Sequence, residues 1–312
     1  MCRRMSAIIQ VQNLTKSYGD VRAVQGIDFE VAAGEIFAML GPNGAGKSTT
    51  VEILEGLRPR DGGDVSVLGI DPATDPHRLK SKIGVVLQHT VFPNKIKVTE
   101  VIELYGQLYT VKPDAKALLE RFALSDKASA MYASLSGGQK QKLALILAMI
   151  NNPAIVFLDE PTTGVDAHTR RAIHDWLREL RSEGRTVFLT THYIHEAEQL
   201  ADRIAIVGRG KVIRLGTMAE ISSGVAMESS IRFRTAAPFQ KEAILGLSGF
   251  RSMEMGKGYA VSQVADPAQA ISALVRYLDS VGNRLVDVEL SRPTLEDVFL
   301  KLTGERIAEE EK

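Results

Sequence analysis

From residue 8 to about residue 221 the chain alternates short β-branched apolar runs with longer stretches whose apolar positions recur at helical spacing. That pattern predicts an α/β sheet with crossover helices. Strands are predicted at 8–11, 27–31, 36–40, 83–87, 155–158, 187–190 and 204–207, and helices at 47–55, 98–108, 139–150, 168–181 and 194–201. The run 154–158 is apolar at every position, as a central strand covered on both faces requires.

After Ser222, Ser223 and Gly224 the pattern changes to smaller elements: extended at 230–234, helical at 239–245, extended at 259–264, helical at 268–281, extended at 285–290 and helical at 294–302. This predicts a small C-terminal α/β domain, with a ferredoxin-like arrangement as one candidate. The expected division is a first domain at 1–224, an accessory domain at 225–304 and a charged tail at 305–312. Leu295, Val298, Phe299 and Leu302 fall at i, i+3, i+4 and i+7, so the last helix has one apolar face in need of a packing partner.

Charge and composition narrow the possible partners. Lys plus Arg and Asp plus Glu are both 38 in 312 residues, giving a formal net charge of zero. No excess of cations is left to neutralise a phosphate backbone, so nucleic acid is not expected as a partner. The longest apolar run, Leu143 to Ile150, is far short of the roughly 20 residues that span a bilayer. Cys2, Arg3 and Arg4 lead into polar residues with no apolar core of a secretory signal behind them, and a single cysteine excludes an internal disulfide. A cytoplasmic location is expected.

Three segments carry chemistry. Gly41-Pro42-Asn43-Gly44-Ala45-Gly46-Lys47-Ser48 matches the phosphate-binding loop G-x-x-x-x-G-K-S/T, between a predicted strand and a predicted helix as that loop must be. Gly44 and Gly46 let the backbone approach phosphates, backbone amides and the Lys47 ammonium meet their charge, and Ser48 is a candidate Mg²⁺ ligand. Asp159 and Glu160 end the apolar run, where open sheets bind ligands. Asp159 suits a metal and Glu160 suits polarisation of an attacking water. Leu135-Ser136-Gly137-Gly138-Gln139 opens a helix with small residues, either a second anion-meeting N-terminus or simply a capped helix entry.

These motifs in this order, with a histidine after the next strand, resemble the nucleotide-binding subunit of an ABC transporter over roughly residues 8 to 220. The resemblance implies a P-loop ABC ATPase domain with a helical subdomain, ATP and Mg²⁺ as cofactors, and a set of roles. Tyr18 would stack on adenine, and Gly41 to Ser48 with Thr49 would hold the phosphates. Ser48, Asp159 and Gln88 would serve the metal, with Gln88 also sensing the γ-phosphate, although Leu87 stands where relatives often have proline. Glu160, His192 and Gln88 would be catalytic. Ser136, Gly137, Gly138, Gln139 and Asp166 would complete the site of a second copy in a head-to-tail homodimer. His195 forms H-x-x-H with His192 but is given no role, because no third ligand is signalled nearby.

Thr50-Val51-Glu52-Ile53-Leu54-Glu55-Gly56 and the ending from Arg292 to Gly304 resemble the ATPases of type-2, drug-resistance-like ABC exporters. The function so implied is an ATP-hydrolysing subunit at the cytoplasmic face of the cell membrane that powers a separate multi-span permease. A soluble non-transport ABC-type ATPase and an ATP-gated regulatory module are the alternatives. The first would be expected to carry coiled-coil insertions, a second cassette or a basic surface, and the second would not need Glu160 and His192.

Overall fold

The computed structural model describes residues 7–88, 90–223, 229–256, 258–291 and 295–303. Cys2, the tail at 305–312 and residues 224, 292–294 and 304, together with the side chain of Leu302, lie outside them. In chain order the elements are β1 (Ala7–Tyr18), β2 (Val21–Ala32), β3 (Ile36–Leu40), α1 (Lys47–Leu54), β4 (Gly62–Val67), α2 (Pro76–Lys80), β5 (Ile83–Val86), α3 (Val98–Leu108), α4 (Ala115–Arg121), α5 (Gly137–Ala148), β6 (Ile155–Asp159), α6 (Ala167–Ser182), β7 (Thr186–Thr191), α7 (Ile194–Leu200), β8 (Arg203–Gly208) and β9 (Lys211–Gly216). They continue as α8 (Met218–Ser223), β10 (Ser229–Thr235), α9 (Lys241–Leu245), β11 (Phe250–Met255), β12 (Ala260–Val264), α10 (Pro267–Ser280), β13 (Leu285–Ser291) and α11 (Leu295–Thr303). The contacts divide into two compact units, with the break between Met218 and Ala219.

In the first unit six strands form a sheet of order β5-β6-β7-β3-β8-β9, parallel except for β9. Its central strands are covered on both faces. Along β6, Ile155 and Phe157 join a core shared with the antiparallel sheet β2-β1-β4, while Val156 and Leu158 join a second core built with α3, α5 and α6. In the first core Phe29, Phe37, Phe157 and Phe188 pack ring to ring, with Phe29 and Phe37 stacked at 5.5 Å. In the second, α3 turns Val98, Val101 and Ile102 inward, and α6 buries Ile173, Trp176, Leu177 and Leu180.

β1 and β2 each run 12 residues, longer than the apolar runs that predict them. They form an antiparallel sheet with one solvated face, where polar residues alternate with core residues and bulges absorb irregular register. β4 was missed because it opens on Gly62 and Gly63, which have little strand propensity of their own; pairing with β1 makes it a strand. α4 was missed despite a usable signal, since Asp114 caps it by accepting from the Ala117 amide at 3.0 Å.

The second unit holds a four-stranded antiparallel sheet of order β11-β12-β10-β13 with α9 and α10 in its crossovers, which is the ferredoxin-like βαββαβ arrangement. Ile231, Phe233, Phe250 and Ala260 of the sheet pack with Ile244 of α9 and Leu274 and Leu278 of α10. On α11, Leu295, Val298 and Phe299 are fully buried, as their spacing predicts. β11 escaped the sequence reading because only Phe250 and Met253 of its six residues are buried.

Candidate functional site: a phosphate cradle at the strand ends

The strand order makes the site. β6, β7 and β3 are parallel neighbours, so the segments leaving their carboxyl ends emerge side by side. Those segments are Asp159-Glu160 from β6, His192 from β7 and the loop starting at Gly41 from β3. The Gly41 amide donates to the Thr191 carbonyl at 3.4 Å and the Glu160 amide donates to the Thr190 carbonyl at 3.2 Å. A cavity of about 540 Å³ opens there, lined among others by Tyr18, Asn43, Gly44, Gly46, Lys47, Ser48, Thr49, Gln88 and Glu160.

The loop can hold phosphate because its backbone is bare and close-packed. α1 begins after Gly46, whose φ of 98° is left-handed, and no side chain caps the helix. Its first amides therefore have no capping oxygen from the protein and are disposed to meet an anion. A Cβ on Gly46 would lie 2.4 Å from the Ala23 carbonyl oxygen and one on Gly41 would lie 2.4 Å from that of Val207, so both positions need glycine for space. Lys47 is buried, and its Nζ donates to the carbonyls of Gly41 at 2.8 Å and Pro42 at 3.2 Å. Burial pushes its ammonium below the ordinary lysine value, opposed by Glu160 and Asp159.

The two carboxylates have different settings. Glu160 Oε1 lies 3.3 Å from Lys47 Nζ and its Oε2 lies 3.2 Å from His192 Nδ1. Against the opposing effect of burial, His192 first and Lys47 second hold its carboxyl down at about 2. Its backbone is left-handed at φ 49°, an arrangement that costs a non-glycine residue about 1–3 kcal/mol and persists where the surroundings fix it. Here the Thr163 amide and hydroxyl bind the Glu160 carbonyl and Oε2, and Thr190 Oγ1 accepts from the Glu160 amide at 3.0 Å. Asp159 Oδ1 accepts from the Thr190 hydroxyl and from Ser48 Oγ at 3.3 Å.

Thr190 therefore belongs to the site, although no motif in the sequence marks it. It is fully buried and joins both carboxylate-bearing residues through one hydroxyl. As a β-branched residue inside a strand it has no motif to mark it. Thr190→Val is expected to lower the turnover of ATP by about 10–100-fold, the usual cost of removing an orienting partner, while ATP binding measured in EDTA stays unchanged and Thr190→Ser restores turnover. Equal losses in the Val and Ser variants would assign Thr190 to packing alone. Arg22, at the start of β2, and Arg209, in the turn between β8 and β9, also line the cavity, and neither belongs to a recognisable motif.

The other residues singled out in the sequence fall in two groups. Tyr18 and Gln88 line the same cavity as Lys47. Tyr18 is 41% exposed, with Lys16 and Arg58 at 5.5 and 5.6 Å from its ring centroid. Ser136, Gly137, Gly138, Gln139 and Asp166 do not line it. They are instead near one another: Ser136 caps α5 in a reciprocal box with Gln139, Asp166 caps α6 by accepting from Thr169 at 2.9 Å, and a Cβ on Gly138 would lie 2.6 Å from Thr169 Oγ1. His195 is exposed and lies 3.4 Å from Glu198, and no metal-ligating cluster is found among the described residues.

The ABC transporter family profile matches residues 24–163. A daunorubicin resistance ATP-binding protein of Streptomyces coeruleorubidus is 38% identical over 95% of this chain and 96% of its own length. The chain belongs to the ABC transporter ATP-binding proteins. A Nod factor export ATP-binding protein of Rhizobium etli is 35% identical over 97% of this cassette chain and 95% of the relative. Among solved structures, a dimeric ATP-binding cassette in a post-hydrolysis state, bound to ADP and Pi, has a TM-score of 0.62 at 29% identity, covering 67% of this chain and 98% of that one. The cassette binds ATP and is an ATPase, with the fold that its sequence resemblance implies.

Proposed function

We propose that this cassette binds and hydrolyses ATP as one half of a head-to-tail homodimer, peripheral to the cytoplasmic face of the membrane, and so powers a separate multi-span permease in export. The observation that carries the reading is that Lys47, Ser48, Gln88 and Glu160 line one cavity at the ends of β3, β6 and β7, with Asp159 bonded to Ser48 and His192 beside Glu160. Gly41 to Thr49 bind the triphosphate through bare amides and Lys47, and Tyr18 offers a ring to the base. Glu160 orients and polarises the attacking water, and His192 steadies both Glu160 and the charge that develops on the γ-phosphate. The hydroxyl and carboxylate oxygens of Ser48 and Asp159 at 3.3 Å are the hard donor set that suits Mg²⁺, with Gln88 beside them, and the ion when bound supplies charge neutralisation at the phosphates.

The face made by Ser136, Gly137, Gly138, Gln139 and Asp166 completes the partner's site, and a two-fold axis gives each copy the same share. Residues 1–224 serve as the ATPase domain, with 225–304 an accessory domain and 305–312 a tail. No helix among the described residues is long and apolar enough to cross a membrane, so the spanning element belongs to another chain in this reading. The names of the relatives, daunorubicin resistance and Nod factor export, support outward transport. The purified chain should turn over ATP in Mg²⁺ and stop when EDTA removes it, with phosphate release as the readout. Nucleotide binding without turnover in Mg²⁺ would leave only a regulatory module.

A further inference from the structure

A second cavity of the first unit lies apart from the phosphate cradle. It measures about 220 Å³, and its walls include Leu57, Ile83, Leu87, Tyr105, Ala144 and Leu147. Among the lining residues the acidic one is Glu55, at the end of α1. Glu55 is 1% exposed, and neither of its carboxylate oxygens has a hydrogen-bond partner among the described residues. Burial first, then the negative charges of Asp159 and Glu52, push its carboxyl well above the usual range, and Lys80 at the cavity opposes them. A buried polar group left without a partner costs about 1–3 kcal/mol, and a methionine could fill the same space at no such cost.

Glu55 thus resembles half of an ion pair whose other half comes from outside. The surroundings indicate what brings it. Leu57 and Leu87 line the cavity and are themselves exposed, so the opening presents apolar side chains to solvent. An apolar rim around a lone acid complements an amphipathic segment that presents one cation among apolar side chains. We propose that this cavity receives a lysine or arginine side chain from an apolar-flanked segment of the membrane-embedded partner, with Glu55 as its counter-ion. The inference rests on the docking of such a partner proposed above and adds the chemistry by which it is selected. Leu87 lines this cavity and Gln88 lines the nucleotide cavity, so a side chain seated here pushes on the loop that reaches the phosphates.

The test uses n-butylguanidinium as the cationic probe and N-butylurea as its neutral isostere, titrated into the methyl-labelled full chain. The cation should shift the methyl signals of Leu57, Ile83, Leu87 and Leu147, and N-butylurea should do so at least about tenfold more weakly, since a buried charge pair carries most of the energy of such a contact. Glu55→Gln should abolish the difference between the two probes, and Glu55→Met, which should raise Tm, guards against reading misfolding as lost binding. Equal responses to both probes, or a cation response that persists in Glu55→Gln, would overturn the proposal. In detergent extracts of native membranes, the multi-span protein recovered with the wild-type chain should fall by about tenfold with either variant, the loss of one central anchoring contact. Undiminished recovery would overturn the choice of partner. If no multi-span protein accompanies the wild-type chain, the docking reading fails, while the probe titration still decides whether Glu55 takes a cation.

Discussion

Glu160→Gln is expected to lower steady-state ATP hydrolysis by about 10²–10⁴-fold, the range for loss of a general base, and to leave nucleotide trapped on a dimer. The geometry explains why so small a change has so large an effect. Glu160 sits within 3.3 Å of Lys47 and 3.2 Å of His192, and those neighbours hold its carboxyl at about 2. A carboxylate held that low is ionised at every physiological pH, and on its own it is a weak base. In the proposed reaction the phosphates of ATP would compete with Glu160 for the Lys47 ammonium, which would weaken one of the contacts that keep the carboxyl ionised. Glutamine fits the same space but cannot take the proton at any stage. The left-handed backbone at residue 160 is retained, because it is held by Thr163 and Thr190 rather than by the side-chain charge. Phosphate release together with size exclusion in ATP checks both halves; near-normal turnover, or a variant that stays monomeric in ATP, removes Glu160 from this role.

Ser136→Arg leaves ATP binding by the single chain intact and reduces turnover to background. Ser136 is exposed and does not line the cavity that holds Lys47, so a bulky cation there is not expected to obstruct its own chain's nucleotide. Locally it caps α5, with the Gln139 amide donating to Ser136 Oγ at 3.3 Å and the Ser136 amide donating to Gln139 Oε1 at 2.9 Å. Loss of that cap costs about 1 kcal/mol, too little to unfold the unit. Ser136→Ala loses the same cap without the bulk, so its Tm gives the size of the local effect. The remaining loss in Ser136→Arg is then assigned to the seam between two copies. Nucleotide binding by equilibrium dialysis and phosphate release in parallel make the distinction, and full turnover in Ser136→Arg would show that each chain works alone.

The sequence by itself determined the elements with strong periodic patterns and the residues of the phosphate loop. α3 spans Val98–Leu108 as its spacing predicts, β3 spans Ile36–Leu40, and the all-apolar run before Asp159 is a strand buried on both faces. In each case local propensity and burial favour the same conformation. The loop was legible because Gly41 and Gly46 are required by contacts only a few ångströms away, which any chain holding phosphate in this way must satisfy.

Tertiary structure decided what depends on pairing between distant segments. β4 and β11 are strands because a neighbour completes their hydrogen bonds, since Gly62-Gly63 and the mostly exposed residues of β11 carry little preference of their own. The strand order β6-β7-β3 was not readable along the chain, yet it brings residues 41, 160 and 192 to one place. Thr190 and Glu55 were invisible for the same reason. A threonine in a strand and a glutamate ending a helix are ordinary in sequence, and each acquires its chemistry from what the fold sets beside it: two carboxylate-bearing residues for Thr190, and for Glu55 a largely apolar cavity with no hydrogen-bond partner among the described residues.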